Sequence, residues 1–201
     1  MNPMEIQETI REIKAQFRLA MNGVASASMR DKGVAYKVNF GIEWPRLYQI
    51  AQPYGKDAAL AALLWKDPVR ECRLMATAIQ PVESFGEDLA DLWIEQADTL
   101  ELVEYLAMNL LQFIPQAADA AFRWMASERP LTATAGFLTL AHLLRQGVLL
   151  NERSCYEFLD QAEVALRGDN HSLVKAARTA LMRYAALGES ESEAVGRLFA
   201  C

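Results

Sequence analysis

Residues 98–109, DTLELVEYLAMN, set two carboxylates, Glu101 and Glu104, into an otherwise largely apolar helical pattern. A carboxylate held against an apolar face can serve as general acid or base, or can stabilise positive charge that develops in a transition state. At roughly 100° per residue, Leu100, Val103, Ala107 and Leu111 share one stripe and Glu104 falls on its edge. Such a group either keeps a raised pKa or pairs with a neighbour, for which Arg70 and Arg73 on a preceding helix are the first choices. Glu101 has a plainer role, because Asp98…Glu101 reads as a capping box. The other reactive side chains are sparse. His142 and His171 lie 29 residues apart with no carboxylate at ligand spacing, and Cys72, Cys155 and Cys201 form no CxxC pair. That pattern supports neither a zinc site nor a disulfide framework. His142 is expected along a helix and His171 at a helix start, as a cap. Cys72 and Cys155 read as small helix residues, and Cys201 ends the chain. No glycine-rich phosphate loop, GxSxG elbow or HExxH pair occurs. Glu104 is therefore the carboxylate whose role stays open, and no cofactor or metal is expected.

The elements that must position Glu104 are helices. Nothing alternates apolar and polar residues long enough for a strand, while Ala, Leu, Met, Glu and Arg recur with apolar positions three and four apart. Asp67-Pro68 marks a helix start, and Ser84…Glu87 and Ser154…Glu157 read as further capping boxes. The helices come in pairs with a shared grammar, in which a tryptophan closes a first helix and a polar turn leads to a more apolar second one. Trp65, Trp93 and Trp124 mark three such pairs at spacings of 28 and 31, and a looser fourth turns at Gly168-Asp169-Asn170. The tryptophans are expected to pack between repeats. Repeated helical pairs predict an all-α solenoid, a HEAT-like or armadillo-type right-handed superhelix of paired antiparallel helices, about ten or eleven in all. It is expected as a single domain over 1–201, with an N-terminal helix and loop over 1–42 and helix pairs over 43–201. Residues 22–42, with glycines at 23, 33 and 41, are expected to be that loop.

With 201 residues and 52% hydrophobic content, the chain can bury a full core. The N-terminus is amphipathic rather than signal-like, no run could span a bilayer, and no helix shows a clustered basic face for a membrane surface. A cytoplasmic protein with no membrane partner is expected. The net charge of −6 is unevenly spread, and no basic residue lies between Arg73 and Arg123 although nine acidic ones do. Acidic residues 83–119 weigh against a polyanionic partner.

Residues 39–79 resemble the N-terminal repeats of the AlkD-type DNA alkylation repair proteins, HEAT-like repeat DNA glycosylases. The matching residues are Phe40-Gly41-Ile42, Leu47 with Ala51, Leu64-Trp65, and Arg70-Glu71 with Arg73-Leu74. Likeness is good from about 36 to 80, moderate to about 130, and beyond that a matter of helix count. The resemblance implies a HEAT-like fold and release of cationic alkylpurines such as 3-methyladenine and 7-methylguanine. In the family an acidic residue stabilises charge on the sugar, two tryptophans pack on the nucleotide backbone, and an arginine holds a phosphate.

Carried over position by position, the family's WDxVD element aligns with residues 100–104, so Leu100 replaces its tryptophan and Glu104 its catalytic aspartate. Its arginine falls near Thr134 and its second tryptophan near Thr179. The resemblance thus implies a divergent member, a DNA-repair-related binding protein with weak or absent catalysis. Two alternatives are an active glycosylase that uses Glu104, and a scaffold that binds a protein in its concave groove.

Overall fold

The computed structural model describes residues 3–34 and 36–199; Cys201 lies outside them. The described residues form twelve α-helices and no strand, with one isolated bridge between Val38 and Val69. The chain folds as paired antiparallel HEAT-like helices, all-α as expected from its sequence. Its contacts gather into two compact units, Met1–Phe85 and Gly86–Cys201.

The first unit holds α1 (Pro3–Leu19), α2 (Gly23–Asp31), α3 (Trp44–Ala51), α4 (Ala58–Trp65) and α5 (Arg70–Ile79). In α1, Ile6, Ile10, Ile13 and Phe17 recur at spacings of four and three and are all buried, one apolar stripe against the unit's core. Helix α2 corrects the expected loop over 22–42 and raises the helix count. Asn22 caps it by accepting from the amide of Ala25 at 3.1 Å. Its short run of Ala and Ser gave too little apolar periodicity to betray a helix.

The Phe-Gly-Ile segment is clamped by the helix that carries Arg70 and Glu71. Glu71, fully buried, accepts from the amides of Phe40 (3.1 Å) and Ile42 (3.3 Å). Arg70 donates to Glu71 at 2.8 Å and to the carbonyl of Ile42 at 3.0 Å. Gly41 adopts φ +71°, and a Cβ there would sit 2.2 Å from the carbonyl oxygen of Asn22, so glycine is required on both counts. Arg73 stacks over Trp65 at 4.6 Å from the ring centre.

The second unit holds α6 (Glu87–Gln96), α7 (Leu100–Asn109), α8 (Ala117–Met125), α9 (Pro130–Arg145), α10 (Glu152–Arg167), α11 (His171–Ala185) and α12 (Glu189–Leu198). The pairing grammar holds, since Trp65, Trp93 and Trp124 each lie in the last turn of a first helix and are 3%, 2% and 2% exposed. Helix α9 packs against α7, α8 and α11. It meets α8 at Gly136, where a Cβ would lie 2.5 Å from the amide nitrogen of Met125. Arg129, just before α9, donates to the carbonyls of Ile94 (2.7 Å) and Ala97 (2.5 Å) and so ties the end of α6 to the start of α9.

The helix starts differ in register from the predicted ones. Thr99 rather than Asp98 caps α7, accepting from Leu102, and Asn151 rather than Ser154 caps α10. Helix α6 follows Gly86 without a side-chain cap, while Ser84 bonds Gln80 and the carbonyl of Pro81. Helix α5 starts at Arg70 after Val69, and Asp67 closes a turn by accepting from Val69. Asn170 caps α11, leaving His171 as its first residue. Where Asx or Ser/Thr residues cluster before a helix, as Asp98 and Thr99 do before α7, sequence alone does not say which one is turned to accept.

Candidate functional site

The second helices of three successive pairs, α7, α9 and α11, lie side by side in the second unit and enclose a cavity of about 220 Å³. Helical spacing selects what faces it. Leu100 and Glu104 come from α7, Thr134 and Leu138 from α9, and Ser172, Lys175, Ala176 and Thr179 from α11. Each set is spaced by three or four residues, so each helix offers one narrow stripe. The four positions singled out by the family resemblance, Leu100, Glu104, Thr134 and Thr179, converge here from three separate helices.

Glu104 is exposed at the open side of the cavity. Burial of its surroundings nevertheless pushes its pKa up; Lys175 opposes that and Glu101 adds to it. The expected partners Arg70 and Arg73 are engaged in the first unit with Glu71 and Trp65, and the cation that faces Glu104 is Lys175. Thr134 donates to the carbonyl of Pro130 at 2.7 Å and Thr179 to that of Lys175 at 2.9 Å. Their hydroxyls therefore offer lone pairs to the cavity. The lining has one carboxylate, one ammonium, three hydroxyls and an apolar wall, with no aromatic ring and no guanidinium. Lys175 was not singled out by sequence, although it sits one helical turn before Thr179.

Charge sorts by layer rather than along the chain. Helices α7, α9 and α11 carry Arg145, Lys175, Arg178 and Arg183 against only Glu101 and Glu104. Helices α6, α8 and α10 carry nine acidic residues against Arg123, Arg153 and Arg167. Much of the acidic run 83–119 thus belongs to the first helices. Within it, Arg123 of α8 pairs with Glu87 at 2.5 Å and Asp91 at 3.0 Å, and Asp91 also accepts from the indole of Trp124 at 2.6 Å.

A second cavity, about 170 Å³ in the first unit, is lined by Tyr48, Gln52 and Lys56 over an apolar floor. Its lysine is already spent on the end of α5, donating to the carbonyls of Ala78 (2.8 Å) and Gln80 (3.3 Å). Among the described residues no three His, Cys, Asp or Glu side chains come together as a metal site, and no helix is long and apolar enough to cross a membrane.

The architecture is that of the HEAT-like repeat proteins. A solved structure described as "a new family of proteins related to the HEAT-like repeat DNA glycosylases with affinity for branched DNA structures" superposes with a TM-score of 0.82. It is 19% identical, over 94% of this chain and 80% of its own. The family model of the DNA alkylation repair enzymes matches residues 13–193, and the chain belongs to that family. No curated protein matches it.

Proposed function

We propose that this chain binds DNA through the layer formed by α7, α9 and α11, and that it releases alkylated bases weakly or not at all. The observation that carries the reading is the lining of the 220 Å³ cavity. Leu100, Thr134 and Thr179 stand where the family pattern places tryptophan, arginine and tryptophan. A carboxylate alone can stabilise a developing oxocarbenium, but without walls to hold the nucleotide the positional contribution, worth several kcal/mol, is lost. The excess of basic side chains on this layer supports contact with phosphates. The solved neighbour is described as having affinity for branched DNA, which makes branched duplexes the first ligands to try.

Base release from duplexes carrying 7-methylguanine or 3-methyladenine, at low salt, tests the catalytic half. The expected result is release no faster than without protein. Clear release that vanishes in Glu104→Gln would overturn it and make Glu104 a catalytic residue, the reading favoured by its place in the cavity. Anisotropy titrations with linear and branched duplexes test the binding half. Absence of binding to both at low salt would leave a scaffold for protein partners.

A further inference from the structure

We propose that this cavity holds a phosphate of the DNA backbone through Lys175, and that Glu104, while ionised, opposes that contact. The inference rests on the DNA-binding reading above and adds to it the group that is gripped and the group that weakens the grip. The lining selects backbone over base. No lining residue offers an aromatic face for stacking, whereas Leu100, Leu138 and Ala176 form an apolar wall suited to a sugar. Thr134 and Thr179 give their protons to their own helices. The side-chain donors left for an anion are therefore the Lys175 ammonium and the Ser172 hydroxyl, one turn apart on α11. The Lys175 side chain is exposed, and an ammonium holds a phosphate as a point charge without demanding a fixed approach.

Glu104 faces the same opening from α7. Ionised, it offsets the Lys175 charge and repels a phosphate; neutral, it leaves the ammonium uncompensated. The other elements against α7 do not change this balance. On α9 the ionisable His142 and Arg145 lie in the last turn, beyond Thr134 and Leu138, and the turn Leu111–Phe113 has no charged side chain. Glu101 adds negative potential from α7 itself, while His171, Arg178 and Arg183 of α11 lie outside the lining. Burial pushes the Glu104 carboxyl up, and a phosphate beside it pushes the same way. DNA binding is then linked to uptake of a proton. Affinity rises as pH falls through the pKa of Glu104 in the complex, and levels off below its pKa in the free protein.

The test compares full-length wild type with Lys175→Met, Lys175→Arg, Glu104→Gln and the Lys175→Met/Glu104→Gln double variant. Both side chains are exposed, so these substitutions leave the helix packing in place. Anisotropy titrations follow a labelled four-way junction and a labelled linear duplex over a range of salt and pH. Lys175→Met should weaken binding by about threefold, the size of one exposed charge contact, and reduce the slope of log affinity against log salt by about one. Lys175→Arg should restore both. Near neutral pH Glu104→Gln should tighten binding by a similar factor, and it should lose part of the rise that wild type shows on acidification. Both histidines titrate in either protein, so the difference between the two profiles isolates Glu104. Without Lys175 the gain from Glu104→Gln should largely disappear. An unchanged salt slope in Lys175→Met, or an affinity and pH profile that Glu104→Gln leaves unmoved, overturns the inference while leaving DNA binding intact. So does a gain from Glu104→Gln that is undiminished in the double variant, because Glu104 then acts through the field of the whole surface. Failure of wild type to bind either DNA at low salt overturns the DNA-binding reading and this inference with it.

Discussion

At the residue scale, the most consequential charge lies outside the cavity, in the Arg70–Glu71 pair. Both side chains are buried, and Glu71 holds two backbone amides besides its arginine. Removing one partner of a buried pair typically costs about 3–5 kcal/mol, because the other charge stays buried without compensation. Glu71→Ala is therefore expected to lower the unfolding free energy measured by urea titration by that much, and a loss below about 1 kcal/mol would show that the pair is solvated. His142 offers a pH-dependent counterpart. Burial pushes its pKa down, and Arg145 and Arg183 push it further. A histidine held neutral in the fold leaves the unfolded chain to take up the proton, so its contribution is intact above about pH 6.5 and fades as pH falls through and below that value. Stability measured from pH 7.5 to 5 should decline less steeply in His142→Gln than in wild type. Glu104 was legible at this scale because its spacing and family pattern both single it out. Lys175, which lines the same cavity, was not, since which helices face each other is a tertiary fact.

Between elements, close backbone approach sets what the sequence tolerates. Gly136 sits where α8 and α9 touch, against backbone atoms that have no freedom to yield. Gly136→Ala is expected to cost about 1–3 kcal/mol by overpacking, despite alanine's better helix propensity. Gly196 in α12 has nothing within 4 Å of its would-be Cβ, so Gly196→Ala should stabilise by up to about 1 kcal/mol. Equal effects at the two sites would contradict the close α8–α9 crossing. The helix pairs themselves were legible, because buried tryptophans at near-regular spacing report a repeated packing need. Their starts were not, since Asp98 and Thr99 are equally good caps on paper and only the turn geometry selects Thr99. Helix α2 was missed for a related reason, as a short helix of small residues has no apolar stripe to read.

For the whole molecule, charge read along the chain and charge read by layer point in different directions. The acidic middle third argued against a polyanion, yet α9 and α11 bring arginines and a lysine to the layer that holds the cavity. Neutralising Lys175, Arg178 and Arg183 together should weaken duplex binding and flatten its dependence on salt by about two to three units of slope. Neutralising Glu87 and Asp91, which are bound to Arg123 on the first helices, should leave the slope within one unit. An equal change from both sets of substitutions would place the nucleic acid elsewhere.

The Glu71 clamp has a further consequence for motion. The amides of Phe40 and Ile42 belong to no helix, yet their acceptor is a carboxylate with no access to solvent. A proton on either nitrogen can swap with solvent only when the buried ion pair itself comes apart. These two loop amides should accordingly exchange with deuterium as slowly as those in the middle of α5, and the irregular segment would then report the rarest opening of the first unit.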